Sequence, residues 1–291
     1  MKSETTRAAA TIVTADALKR FTTDIFARAG MSPAHAAIVA DVLVWANMRA
    51  IDSHGVIRVP RYVHWMGTGE LNPTRVITVR TDTPAAVVID ADRAAGVSTS
   101  PISIAVPGGD GGPLVFDMGT GVIAAGKLLQ ARRTGQPIPE GSALDRHGNP
   151  TTDPKAAEIP LPLGGPKGSG LSLMIECLTS LVVSNAVLAE SLEGTPLGRR
   201  HRQNGLALAI DVARFGDPGA FRAEVDRLVR ALKALPRERG DVEILMPGER
   251  GRRAQERRTR DGIPLPRALV DELRALATRL GVPMFPHGNP G

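Results

Sequence analysis

The hydrophobic pattern of the chain changes near residue 75, and this change constrains the fold more than any other feature. Before it, two segments with helical spacing follow the capping residues Thr14 and Ser32, and Pro33 occupies a first helical position. A short helix through 61–67 is expected next. After it, β-branched runs (76–79, 86–89, 102–107, 113–118, 206–210 and 242–246) alternate with helical segments (120–133, 171–189, 218–235 and 266–280). The pattern predicts a mixed α/β (α+β) fold with a helical N-terminal part and a C-terminal helix.

Charge and aromatic content bear on the class of partner. The 36 Lys and Arg residues exceed the 30 Asp and Glu residues only modestly, and this positive excess is concentrated near Arg250–Arg260. We interpret that run as a solvated surface turn, with nucleic acid binding as the alternative. Because the chain has only 6 Phe, 2 Trp and 1 Tyr, few rings are available for stacking on bases. We therefore expect no nucleic acid partner.

Several features point to a cytoplasmic protein without a membrane span or metal site. The N-terminus lacks the apolar stretch of a secretory signal, and the apolar segment 171–189 contains Glu176, so we expect it to be a buried or half-buried core helix. The single cysteine, Cys177, cannot form an internal disulfide and is expected to be a buried thiol. One cysteine and six scattered histidines form no zinc-binding pattern.

Two segments could carry chemistry. His54 can exchange a proton near neutral pH and Arg58 can bind a carboxylate, although a histidine considered alone is more often a capping or surface residue. The Gly-rich segment 164–170 around Lys167 has the composition of a phosphate cradle, and a flexible turn remains the alternative. No G-x-G-x-x-G fingerprint is present, so a Rossmann fold is not supported.

Taken together, these segments resemble the malate/L-lactate dehydrogenase family, whose members lack a Rossmann fold. The matching stretches occur in family order, at 52–62, 101–107, 117–120, 151–154, 161–171 and 247–249. The resemblance implies NAD- or NADP-dependent hydride transfer between a 2-hydroxy acid and its 2-keto acid, in a homodimer. It implies a substrate-side domain at 1–75, a central cofactor-binding domain at 76–246, and a C-terminal turn and helix at 247–291 that pack on the other parts.

The resemblance also assigns the site residues. His54 corresponds to an acid/base residue or a residue of the substrate pocket, and Arg58 to the carboxylate binder. The implied cofactor contacts are Asp117, Met118, Gly119, Thr120, Gly121, Pro166, Lys167, Pro247, Gly248 and Glu249.

One departure from the family pattern is large. Family members carry several dozen residues, with an Asn-His-Phe-Gly motif, before the segment that corresponds to 101–107. Here Gly96 and Val97 run straight into Ser98, and no histidine is followed by Phe-Gly. The sequence thus resembles a member with an internal deletion near 97/98. Two interpretations stay open: a dehydrogenase whose activity is impaired, and an inactive remnant that binds nucleotide or a partner protein.

Overall fold

The computed structural model describes residues 10–93, 101–195, 204–237 and 242–286. These residues form two compact units. The first contains the described residues within 1–96, 186–203 and 253–291, and the second those within 97–185 and 204–252. The predicted deletion near 97/98 lies outside the described residues.

Helices and short strands are mixed along the chain, which confirms the predicted fold class. The helices are α1 (Ala15–Arg28), α2 (Pro33–Met48), α3 (Val59–Thr68), α4 (Ala125–Thr134), α5 (Pro166–Thr179), α6 (Leu188–Leu192), α7 (Pro218–Lys233), α8 (Glu249–Asp261) and α9 (Arg267–Leu280). The strands are β1 (Thr11–Val13), β2 (Thr78–Asp82), β3 (Val87–Asp90), β4 (Ile102–Val106), β5 (Leu114–Met118), β6 (Ala143–Leu144), β7 (Ile159–Pro160) and β8 (Ile263–Leu265).

The predicted caps of the first two helices are confirmed. Thr14 Oγ1 accepts the N–H of Ala17 at 3.3 Å, and Ser32 Oγ accepts the N–H of His35 at 3.3 Å. Each hydroxyl thus satisfies one of the amides that a helix N-terminus leaves without an intrahelical partner.

The first unit has a large apolar core. Helices α1, α2, α3 and α9 contribute fully buried side chains such as Leu18, Phe26, Val59 and Leu273. Strand β1 pairs antiparallel with β8, which ties the start of the described chain to the region before α9. Strands β2 and β3 form a separate antiparallel pair whose side chains are mostly exposed.

The second unit has a much smaller core. Strands β4 and β5 pair antiparallel, with Ile102 opposite Met118, and β6 pairs with β7. Its buried apolar cluster consists of Ile123, Leu128, Ile138, Ala143 and Ala157. Helix α7 buries none of its side chains, although its apolar residues lie on one face.

Three predictions for the second half of the chain are wrong. The runs 206–210 and 242–246 are not strands, because no neighbouring strand pairs with them among the described residues; Leu208 is 82% exposed. The apolar helix expected over 171–189 ends at Thr179, and Leu178 is 55% exposed. The basic run expected to be a turn lies within helix α8. None of the described helices has both the length and the apolar character needed to span a membrane.

Candidate active site

The segment that carries His54 joins α2 to α3 and contains two short 3-10 turns, Asp52–His54 and Val56–Arg58. Gly55 lies between these turns, and a Cβ atom there would be 2.1 Å from Oδ1 of Asn47. Since Cβ atoms do not approach other atoms so closely, any larger residue at this position must displace the Asn47 side chain. The predicted motif is therefore a turn packed tightly against one side chain of α2.

That side chain, Asn47, is 1% exposed and holds both ends of the turn. Its Oδ1 accepts the N–H of Val56 at 2.8 Å, and its Nδ2 donates to Asp52 Oδ1 at 2.7 Å. Arg258 of α8 donates to the two Asp52 carboxylate oxygens at 2.6 and 2.9 Å, and also to the carbonyl oxygen of Asn47. Neither Asn47 nor Arg258 is marked by any sequence motif. A polar residue near the end of an apolar helix is the single local signal for Asn47.

His54 and Arg58 are both half-buried on this turn. The Nδ1 atom of His54 lies 3.0 Å from Ser53 Oγ, where either atom can be the donor. Arg58 Nε donates to the carbonyl oxygen of Ser53 at 2.8 Å. The two predicted residues are thus tied to the same serine, one through its hydroxyl and the other through its backbone.

The surroundings of Arg58 favour binding of a carboxylate. Burial lowers the pKa of Arg58 from its usual value; Tyr62 opposes this shift and Arg61 adds to it. The guanidinium stays charged at neutral pH, and its partial desolvation strengthens its attraction for an anion. Tyr62 stacks on Trp65 with ring centroids 5.7 Å apart, so two aromatic rings pack together in the helix that follows the turn.

The second unit contains a cavity of about 270 Å³ that several predicted cofactor residues line. Met118 and Thr120 come from the end of β5, and Lys167 comes from the first turn of α5. The backbone joins the two segments, because Leu163 N–H donates to the Thr120 carbonyl at 2.8 Å. The cavity is lined by Met118, Thr120, Leu163, Gly164, Lys167, Gly168 and Leu171.

Glycines shape the entry into α5. Gly164 and Gly165 have φ angles of +66° and +59°, a left-handed backbone that side-chain-bearing residues rarely adopt. A Cβ atom on Gly168 would lie 1.9 Å from the carbonyl oxygen of Leu163. No side chain caps this helix, so its first-turn amides and the exposed Lys167 present positive charge at one place.

The predicted turn 247–249 lies beside β5. The Pro247 carbonyl accepts the N–H of Val115 at 3.2 Å, and Gly248, with φ +86°, packs against Val115. The Glu249 carboxylate is buried, pairs with Lys233 at 2.8 Å, and accepts the N–H of Met246 at 3.0 Å. Its charge is therefore used within the protein, at the start of α8.

The remaining predicted cofactor residues lie near these. Asp117 is exposed on β5, opposite Ser103, while Gly119 and Gly121 are half-buried. Pro166 is exposed at the first position of α5. In the part of the chain that the structure describes, no three His, Cys, Asp or Glu residues are grouped so as to hold a metal ion.

Comparison with known proteins identifies the family. The sequence model described as malate/L-lactate dehydrogenase matches residues 13–98 and 94–274. The chain belongs to the malate/L-lactate dehydrogenase family. It is 30% identical to the L-sulfolactate dehydrogenase of Methanocaldococcus jannaschii over 91% of this chain and 96% of that protein. The solved structure of that sulfolactate dehydrogenase covers 94% of this chain and 98% of its own, with a TM-score of 0.77.

Two further relatives carry a cofactor in their names. The (2R)-3-sulfolactate dehydrogenase (NADP(+)) of Chromohalobacter salexigens is 38% identical over 62% of this chain and 52% of that protein. The ureidoglycolate dehydrogenase (NAD(+)) of Escherichia coli is 27% identical over 76% of this chain and 83% of that protein. NAD and NADP, the two cofactors that the resemblance implies, therefore both occur in the names of relatives.

The comparisons also bear on the predicted deletion. The family match is split into two segments that meet at residues 94–98. The alignment to the M. jannaschii protein spans 334 positions, whereas 91% of this chain is about 265 residues. About 70 positions of that relative thus have no counterpart in this chain.

Proposed function

We propose that this family member is an NAD(P)-dependent oxidoreductase that transfers a hydride between the nicotinamide cofactor and a 2-hydroxy acid or its 2-keto acid. The observation that carries this proposal is the cavity where Met118, Thr120 and Lys167, taken from two predicted segments, line one space. The relatives' names support the substrate class, because sulfolactate and ureidoglycolate are both 2-hydroxy acids.

The residues present fit part of such a cofactor. Binding sites for whole cofactors usually have volumes of about 300 to 1,000 Å³, so a cavity of about 270 Å³ suits one phosphate-bearing part of a dinucleotide. Lys167 and the first-turn amides of α5 would hold that phosphate. The absence of a side chain on Gly168 lets the start of α5 pack directly on the Leu163 backbone, which positions the first turn of the helix at the cavity. When bound, the nicotinamide supplies or accepts the hydride.

The chain's own residues act on the substrate. Arg58 binds the carboxylate of the 2-keto acid in a bidentate manner, because its Nε is used by Ser53 and its terminal nitrogens make no hydrogen bonds among the described residues. His54 donates a proton to the carbonyl oxygen during reduction and accepts it back during oxidation. Its contact with Ser53 fixes the orientation of the ring.

The test is titration of the purified protein with NADH and NADPH by fluorescence, followed by turnover of a panel of 2-keto acids. Lys167→Gln should weaken nucleotide binding about tenfold, which is the loss of one charge-assisted contact. Lys127→Gln is the matched control, because Lys127 is an exposed lysine of the same unit on α4. A folded sample that shows neither binding nor turnover would refute the proposed function.

We also propose that about 70 residues have been lost near 97/98 from the cofactor-binding domain. The split family match supports this, and so do the half-exposed apolar side chains of α5 and the lack of a strand partner for 206–210 among the described residues. Insertion of the corresponding segment of a relative between residues 97 and 98 should raise the melting temperature and turnover. A glycine–serine insertion of equal length is the control, and equal behaviour of both insertions would contradict the proposal.

A second candidate function is nucleotide binding without catalysis. The small buried cluster of the second unit favours it, because hydride transfer needs reacting groups held within a fraction of an ångström. This alternative predicts NADH binding without turnover, and affinity that His54→Ala does not change. Turnover by the wild-type chain would exclude it.

We further propose a cytoplasmic homodimer in which 1–75 binds substrate, 76–246 binds cofactor, and 247–291 packs on both parts. An exposed apolar stripe on α2, formed by Ile38, Val42 and Trp45, supports association. Val42→Glu should shift the sedimentation coefficient toward the monomer, whereas Ala275→Glu, at an exposed position of α9 away from this stripe, should not. Cell fractionation tests the compartment.

We expect no nucleic acid partner, and the placement of the basic run supports this. Arg252 and Arg258, both in α8, donate to Gly111 and Asp52 within the protein. A DNA or RNA affinity that falls steeply with salt would contradict the expectation.

A further inference from the structure

Arg258 belongs to the basic run that the proposed function does not explain. It lies near the end of α8, where Arg257 and Arg260 are exposed. The Arg258 side chain is only 14% exposed, whereas that of Arg260 is 72% exposed. The Arg258 side chain is thus mostly buried against other residues of the first unit, whereas that of Arg260 faces solvent.

Among the described residues, the hydrogen bonds of the Arg258 side chain all go to residues at the base of the turn that carries His54. Its two terminal nitrogens bind the Asp52 carboxylate in a bidentate manner at 2.6 and 2.9 Å, and Nη1 also donates to the carbonyl oxygen of Asn47. Asn47 stands at the C-terminal end of α2, where a cation is favoured by the helix dipole. A single guanidinium therefore joins the end of α2 to the first residue of the turn.

From Asn47 the restraint continues to the other side of His54. The Asn47 amide binds Asp52 on one side and the N–H of Val56 on the other, at 2.7 and 2.8 Å. Asp52 and Val56 are two residues before and two residues after His54. The position of the imidazole is therefore set by a hydrogen-bonded frame whose outermost member is Arg258.

We propose that Arg258 is a positioning residue for His54, and this rests on the proposed role of His54 as the acid/base residue. Asp52 is half-exposed, so water screens part of the attraction, and the bidentate geometry of the pair fixes an orientation as well as adding stability. Its value lies in its geometry. A lysine cannot reproduce the bidentate contact and the carbonyl contact together, because its ammonium is a point charge.

The test compares Arg258→Gln and Arg258→Lys with the control Arg260→Gln on the same helix. The readouts are the imidazole signals of His54 in ¹H–¹³C spectra, assigned with His54→Gln, and steady-state kinetics with the best 2-keto acid. Arg258→Gln should move the His54 signals and lower kcat/KM between about 10- and 100-fold, the range expected for displacement of a catalytic group by up to about 1 Å. The loss of kcat/KM in Arg258→Lys should be smaller than in Arg258→Gln, but kcat/KM should stay below that of the wild type.

The outcomes separate this proposal from the proposed function. Absence of both nucleotide binding and turnover in the wild type refutes the proposed function, while the spectra still decide the positioning role. Unchanged His54 signals in Arg258→Gln, or equal changes in Arg260→Gln, overturn the positioning role. If Arg258→Gln does not fold, Asp52→Asn removes the same bidentate contact from the other side and should move the same signals; unchanged signals there overturn the proposal equally.

Discussion

Replacement of Gly55 by alanine is the most direct test of how the His54 turn is built. The added Cβ would lie 2.1 Å from Oδ1 and 2.3 Å from Cγ of Asn47. The backbone itself would tolerate alanine, because φ −88° and ψ −153° are ordinary extended values. The whole effect must therefore come from the collision with Asn47.

Two costs add when Asn47 is displaced. Overpacking of a close-packed site costs about 1 to 3 kcal/mol, and a buried Val56 amide that loses its acceptor costs about 1 to 3 kcal/mol more. Alanine recovers about 0.4 to 1 kcal/mol because it restricts the unfolded chain. We expect a net loss of roughly 3 kcal/mol, and at about 2 to 4 °C per kcal/mol this lowers the melting temperature by roughly 6 to 12 °C.

Thermal unfolding followed by circular dichroism measures this loss, and hydrogen exchange of 52–58 locates it. Gly67→Ala is the matched control, because a Cβ there meets nothing within 4 Å. The double variant Gly55→Ala with Asn47→Ala should be no less stable than Asn47→Ala alone, since the collision is gone. If Gly55→Ala melts at the same temperature as Gly67→Ala, the steric argument is wrong.

Three further predictions concern other parts of the molecule. Lys233→Ala should lower the free energy of unfolding by about 1 to 3 kcal/mol, because it removes a cation 2.8 Å from the buried Glu249 carboxylate; Lys233→Ala with Glu249→Gln should recover part of this in urea titrations. Gly168→Ala should weaken NADH binding more than Gly170→Ala, because its Cβ would lie 1.9 Å from the Leu163 oxygen while none of the described atoms lies within 4 Å of that on Gly170. Burial raises the pKa of Tyr62, so the folded protein holds the phenol proton more tightly than the unfolded chain. That stabilisation is complete below the usual value of 10.0 and is lost as pH rises toward the raised value, so Tyr62→Phe should flatten the fall in melting temperature above pH 10.

Local signals predicted the helical first part well. A capping hydroxyl such as that of Thr14 acts within one turn of chain, so its effect can be inferred without knowledge of the rest of the fold. Strands depend on a distant partner, and the run 206–210 has the right composition but no neighbour to pair with among the described residues. Helix α8 was not predicted, because its residues are mostly charged and give no apolar periodicity. Ala254 alone among its interior positions is buried.

Residue spacing alone predicted the candidate site only where it is local in sequence. His54 and Arg58 lie four positions apart within one motif, so residue types alone suggest a shared role. The pair formed by Arg258 and Asp52 joins residues 206 positions apart, and no spacing rule connects them. The same holds for the cavity, where β5 and α5 meet through the hydrogen bond between Leu163 and Thr120.

The two units differ in how firmly neighbouring residues hold the candidate site residues in place. In the first, Gly55 and Asn47 are held in a core that also buries Val56 and Val59 completely. In the second, Lys167 stands at the start of a helix whose apolar side chains, such as Leu173 and Met174, are about half exposed. A phosphate contact depends on the position of that whole helix, whereas the His54 turn is fixed by its own hydrogen bonds. Loss of the residues that would cover α5 should therefore reduce nucleotide affinity before it disturbs the His54 turn. We expect this chain to combine a stable His54 turn with weak NADH binding.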